Sequence, residues 1–174
     1  NFTTPLLRNW VSAQEGTRPV TGRARLRGVP DRRAVAHKPD IPDGGDMARY
    51  RTTVESPAPA HEVFAYLADF QTVAEWDPGV RSARRLHGEP GEVGTRYFVV
   101  AGFLGRGIPL EYEILDSVAP TGRSAGRVVL EAHTSDFRSY DVITVAPTPS
   151  GCRVSYDADL ALKGVRRPFD PVLR

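Results

Sequence analysis

Acid–base chemistry has one concentrated source in this 174-residue chain, the cluster Arg138, Tyr140 and Asp141. The cluster falls in a stretch that reads as a strand, and its phase is ambiguous. One phase sends Phe137, Ser139, Asp141, Ile143 and Val145 inward; the other sends Arg138, Tyr140, Val142 and Thr144. An inward Asp141 would be a buried carboxylate of raised pKa, suited to taking a proton from a carbon beside a carbonyl. An outward Asp141 would pair with a surface arginine and carry no chemistry, and that is the favoured expectation. Arg138 is the other ionisable candidate on this strand. His133 shares an outer face with Glu131, His61 opens a helix and His87 adjoins a turn, so no pair of the four histidines has the spacing of a metal site. No metal or other cofactor is expected. Cys152 starts a strand beside a turn with nothing nearby to activate it, and reads as inert. The glycine-rich run 102–107 joins two strands rather than opening a helix, so it is no phosphate loop. Arg81, Arg84 and Arg85 read as a solvated strand edge.

The elements that must position these residues begin after Met47. Tyr50, Thr52 and Val54 alternate with Arg51, Thr53 and Glu55, the period of a strand with one wet face. Ser56-Pro57 reads as a helix N-cap followed by proline at the first helical position. Val63, Phe64, Leu67 and Ala68 then form an apolar stripe at helical spacing. A second short helix is predicted from Phe70 to Glu75, with Asp69 as its cap and Pro78 forbidding continuation. Six strands follow, over 80–86, 95–103, 108–116, 127–134, 137–145 and 153–162. Turns at 88–91, 102–107, 120–122 and 147–151 separate most of them. Short connections predict an antiparallel meander. Two short helices cover about half of such a sheet, so a longer helix is expected to begin near Pro168 and is cut off at Arg174.

Composition bounds the classes of function. Apolar residues make up 40% of the chain and charged residues 25%, enough to build a core. No apolar run reaches the roughly 18 residues of a membrane helix, and the first residues have no signal-peptide core. One cysteine allows no internal disulfide, and a cytoplasmic location is expected. The net charge of +2 is uneven: residues 1–46 carry eight basic and five acidic residues, leaving 15 basic against 16 acidic after them. The body therefore shows no basic stripe for a nucleic acid. Residues 1–46 hold five prolines and no sustained period, and read as a disordered basic leader upstream of a true start at Met47. The folded domain is expected over 47–174.

Strand, two small helices, six-strand meander and final helix is the order of the helix-grip fold. The segments Ser56-Pro57-Ala58-Pro59-Ala60-His61-Glu62-Val63-Phe64, Glu75-Trp76-Asp77-Pro78-Gly79-Val80 and Arg153-Val154-Ser155-Tyr156-Asp157-Ala158-Asp159-Leu160 resemble the START-like (SRPBCC) superfamily. They are most similar to bacterial members of the polyketide cyclase/dehydrase and lipid-transport type. The resemblance covers about residues 48–173 and implies an α+β fold whose seven-stranded antiparallel sheet grips a C-terminal helix, truncated here. It implies an apolar cavity lined by Tyr97, Val99, Phe103, Leu110, Tyr112, Leu130 and Tyr156, with Trp76 at the mouth. Tyr97 and Tyr112 could face one another as hydroxyl donors to a ligand carbonyl, although a plain tyrosine-lined core is the favoured expectation. Trp76 is expected to be a plug more than a gate. The function implied is binding of a lipid or polyketide-like molecule by a carrier or sensor, with a hydrophobic ligand as partner and neither nucleic acid nor membrane insertion. The rival is a polyketide cyclase or dehydratase in which Asp141 or Arg138 assists. Without its last helix the chain could also self-associate.

Overall fold

The computed structural model describes residues 47–103, 106–135 and 137–162, and of Met47, Ala48, Phe103 and Leu162 only the backbone. The leader 1–46 and the helix expected from Pro168 lie outside the described residues.

The first strand, β1, spans Met47–Ser56. Helix α1 covers Ala60–Ala68, a 3₁₀ turn Phe70–Thr72, and a four-residue helix α2 Val73–Trp76. The meander follows: β2 Val80–His87, β3 Arg96–Phe103, β4 Arg106–Val118, β5 Gly126–His133, β6 Phe137–Thr148 and β7 Gly151–Leu162. The seven strands form one antiparallel sheet in the order β1-β7-β6-β5-β4-β3-β2, with β1 folded back on β7 across the helical segment. Arg81, Arg84 and Arg85 thus lie on an edge strand, with Arg84 set 5.0 Å from the centre of the Phe98 ring.

The start of the first helix differs from the sequence expectation. Helix α1 starts at Ala60, with Pro59 rather than Ser56 at its N-cap. Pro57 and Pro59 push the residues before them, Ser56 and Ala58, out of helical backbone. Ser56 therefore stays in β1, paired with Cys152, and its Oγ accepts the Ala58 N–H at 3.2 Å to turn the chain. Several strands also run further than expected, β4 to Val118, β6 to Thr148 and β7 back to Gly151. The last turn contracts to Pro149-Ser150, because Pro147 and Thr148 still pair with Cys152 and Gly151. Gly151, at φ +146°, lies so close to β1 that an added Cβ would sit 2.0 Å from the Ser56 carbonyl oxygen.

The core lies between the concave face of the sheet and the helical segment. Val63, Phe64, Leu67 and Ala68 of α1, Phe70, and Val73 and Trp76 of α2 pack on Tyr97, Leu110, Tyr112, Ile114, Leu130 and Tyr156. Beyond this covered half the concave face continues as Tyr50, Ala101, Ile108, Phe137 and Ala158, hydrophobic residues that pack against the core and are only partly buried. The boundary between the two halves is where the polar groups collect.

Candidate functional site

Cross-strand register settles the phase of β6. Asp141 pairs with Leu130 of β5 and Ala158 of β7, both on the concave face. Ser139, Asp141, Ile143 and Val145 therefore point inward, and the expectation of a surface Asp141 is corrected: it is 1% exposed. Arg138 belongs to the opposite phase. It lies on the convex face with its Nε 2.6 Å from Glu131, away from the core, so the second ionisable candidate is not beside the first. Removing it should cost little. For Arg138→Ala we expect a stability loss of no more than about 1 kcal/mol in urea titration, with unchanged uptake of an apolar probe.

Asp141 is held by hydroxyl groups. Ser139 donates to Oδ1 at 2.6 Å and Tyr156 donates to Oδ2 at 2.7 Å. Burial dominates the titration of the carboxyl and pushes its pKa up to about 6. The two donors oppose the shift, and the charges of Asp77 and Asp159 add to it. Tyr112 and Tyr156 lie well above the ordinary phenol value, chiefly through burial and then through the Asp141 charge. Asp77 is also raised by burial, partly offset by the Gly79 N–H, which donates to its Oδ1 at 2.8 Å.

An aromatic enclosure surrounds this cluster. Trp76 stands edge-on to Tyr156 with ring centres 5.5 Å apart. Phe70 wedges beside Trp76, Tyr97 and Tyr112 at 6.1, 6.1 and 5.1 Å. Trp76, expected at a mouth, is instead 2% exposed and donates from Nε1 to Thr72 Oγ1 at 3.1 Å, as a plug does. Tyr97 and Tyr112 are direct register partners on neighbouring strands, not opposed walls. The Tyr97 hydroxyl donates to the Ala68 carbonyl at 3.4 Å, tying β3 to the end of α1. Val99, Leu110 and Leu130 are buried in the same core cluster as these rings. The side chain of Phe103 lies outside the described residues.

Two members of the cluster were missed from sequence. Ser139 shares the phase of Asp141 and needed only the correct phase. Asp77 was visible only as part of a turn, and nothing in its local sequence places its charge near Asp141. A separate depression of about 390 Å³ opens at the far end of the sheet, lined by Pro57, Pro59, His61, Pro120, Pro147 and Gly151 among others. It contains none of the expected lining residues. Among the described residues no group of His, Cys, Asp and Glu is arranged to hold a metal. No helix among them is long and apolar enough to cross a membrane.

No curated protein sequence matches the chain. Among solved structures, a STAR-related lipid transfer protein fragment from Xanthomonas axonopodis is similar at 18% identity and a TM-score of 0.54, over 68% of this chain and 71% of that one. The Zhui aromatase/cyclase from Streptomyces sp. R1128 is similar at 14% identity and 0.53, over 68% and 70%. A protein from Thermus thermophilus is similar at 20% identity and 0.53, over 70% and 77%. These likenesses show the helix-grip fold. The family model for polyketide cyclase/dehydrase and lipid transport matches residues 47–174, and the chain belongs to that family.

Proposed function

We propose that this protein binds a hydrophobic small molecule, lipid or polyketide-like, on the concave face of its sheet and serves as a carrier or sensor. One observation carries the reading. The covered half of the concave face is a packed aromatic floor, whereas the adjoining strip of Tyr50, Ala101, Ile108, Phe137 and Ala158 is hydrophobic and only partly buried. An apolar ligand lying on that strip would remove it from water, at about 25 cal/mol per Å². Its polar end would meet Asp141, Tyr156 and Ser139 at the boundary. In this arrangement Val99, Leu110, Tyr112 and Leu130 are the floor, and Trp76 and Tyr97 hold the helical segment over it.

The neutral dye Nile red tests this reading. Saturable binding is expected, weakened at least about tenfold in Tyr112→Ala and blocked in Ala158→Trp, where the ring would fill the strip. No saturable binding, or wild-type binding by both folded variants, would overturn it.

A second reading is favoured by Asp141 alone. A carboxyl poised near pH 6 inside an apolar core can accept and return a proton at neutral pH, as a cyclase or dehydratase step requires. Most of the rate would then come from folding the substrate against the floor.

A further inference from the structure

The polar end of the concave face carries acid without base. Asp141 of β6 is faced by Tyr156 of β7, by Tyr112 of β4 and by Asp77 after α2, and Asp159 of β7 adds a further negative charge through the sheet. Its two hydrogen-bond donors are the neutral hydroxyls of Ser139 and Tyr156. The arginines that could neutralise it are engaged elsewhere. Arg49 pairs with both Asp157 and Asp159, Arg51 with Asp157, Arg138 with Glu131 and Arg153 with Glu55, all on the convex face or its rim. Arg85, on the concave phase, sits at the β2 edge beside Tyr97 and approaches Glu89 at 3.8 Å. None of the ion pairs among the described residues reaches Asp141.

The walls of this place are π surfaces. Trp76, Tyr156, Phe70 and Tyr112 pack edge-on or tilted against one another, and Tyr156 and Tyr112 border the carboxylate directly. Aromatic faces attract cations, and a buried carboxylate without a basic partner does so more strongly. The same charge repels a second anion brought to it in surroundings that exclude water, which discriminates against ligands as firmly as any attraction selects them.

We infer that the ligand site is selective for apolar molecules whose polar end is a protonated amine, and that it rejects anionic molecules of the same length. The inference rests on the ligand-binding reading above and deepens it. The amine is expected to donate to Asp141 in competition with Ser139 and Tyr156, while its chain lies along Phe137 and Ala158.

The test is displacement of Nile red at pH 7.5 by 1-dodecanol, dodecylamine and dodecanoate, each below its aggregation concentration. Dodecylamine should displace the dye at a concentration at least about tenfold lower than dodecanoate. In Asp141→Asn the ratio should fall to within about threefold, and Asp141→Ser provides a second uncharged variant if the first misfolds. Dodecanoate as effective as the amine on the wild type would overturn the inference, as would a ratio unchanged in the uncharged variants. Failure of all three compounds, the neutral alcohol included, would instead count against the ligand site itself.

Discussion

Replacing Trp76 with alanine should lower the stability of the protein by about 3–5 kcal/mol, the largest loss expected from a single truncation here. The ring is 2% exposed and packs edge-on against both Tyr156 and Phe70. Its Nε1 also donates to Thr72 Oγ1 within the short helical segment. Truncation removes the burial of the indole and the aromatic pairs, and leaves a void too deep for the surroundings to close. Because α2 is only four residues long, it has little intrinsic stability and depends on this anchor. Trp76→Phe, which keeps a ring in place, should lose less than half as much. Denaturant titration of the two variants checks the argument. A loss below about 1 kcal/mol in Trp76→Ala would show that the indole is a mobile gate rather than the plug that the packing describes.

The second large effect is a pH dependence that originates at Asp141. Its carboxyl has a folded-state pKa raised to about 6, against about 3.9 in an unfolded chain. Between these values the folded protein holds a proton that the unfolded chain has released. Stability from this group is therefore fully present below about pH 4 and is lost as pH rises to about 6, with no further change above. The full swing is about 3 kcal/mol, since each pKa unit is worth 1.36 kcal/mol. Asp141→Asn removes the buried charge while keeping an oxygen for Ser139 or Tyr156. The variant should gain about 1–3 kcal/mol at pH 7.5 and lose this component of the pH slope. Urea midpoints of both proteins from pH 4 to 8 would measure it. Equal slopes, or a variant destabilised at pH 7.5, would mean that the carboxylate is neutralised by a partner. A stabilised Asp141→Asn protein that binds amines poorly would show a group kept for function at a cost in stability.

What the sequence determined is the set of elements. Alternation along Val154-Ser155-Tyr156-Asp157-Ala158 and along Ile108 to Ile114 is a local property, because successive side chains of a strand point to opposite faces whatever surrounds them. The turns were legible for a similar reason, since proline and glycine restrict the backbone by themselves. The misplaced start of α1 had a local cause too, two prolines that each exclude helix from the residue before. Tertiary structure decided which face of a strand was inside. In β6 both phases mix apolar and polar residues, so period alone names two faces without ranking them. Pairing with Leu130 and Ala158, whose own phases are plain, puts Asp141 in the core and Arg138 on the convex surface. The same holds for Asp77, whose charge is felt at Asp141 from 64 positions away in the chain. A carboxylate acquires its chemistry from burial and from the charges around it, and both are properties of the packed sheet and helices, not of the residues on either side.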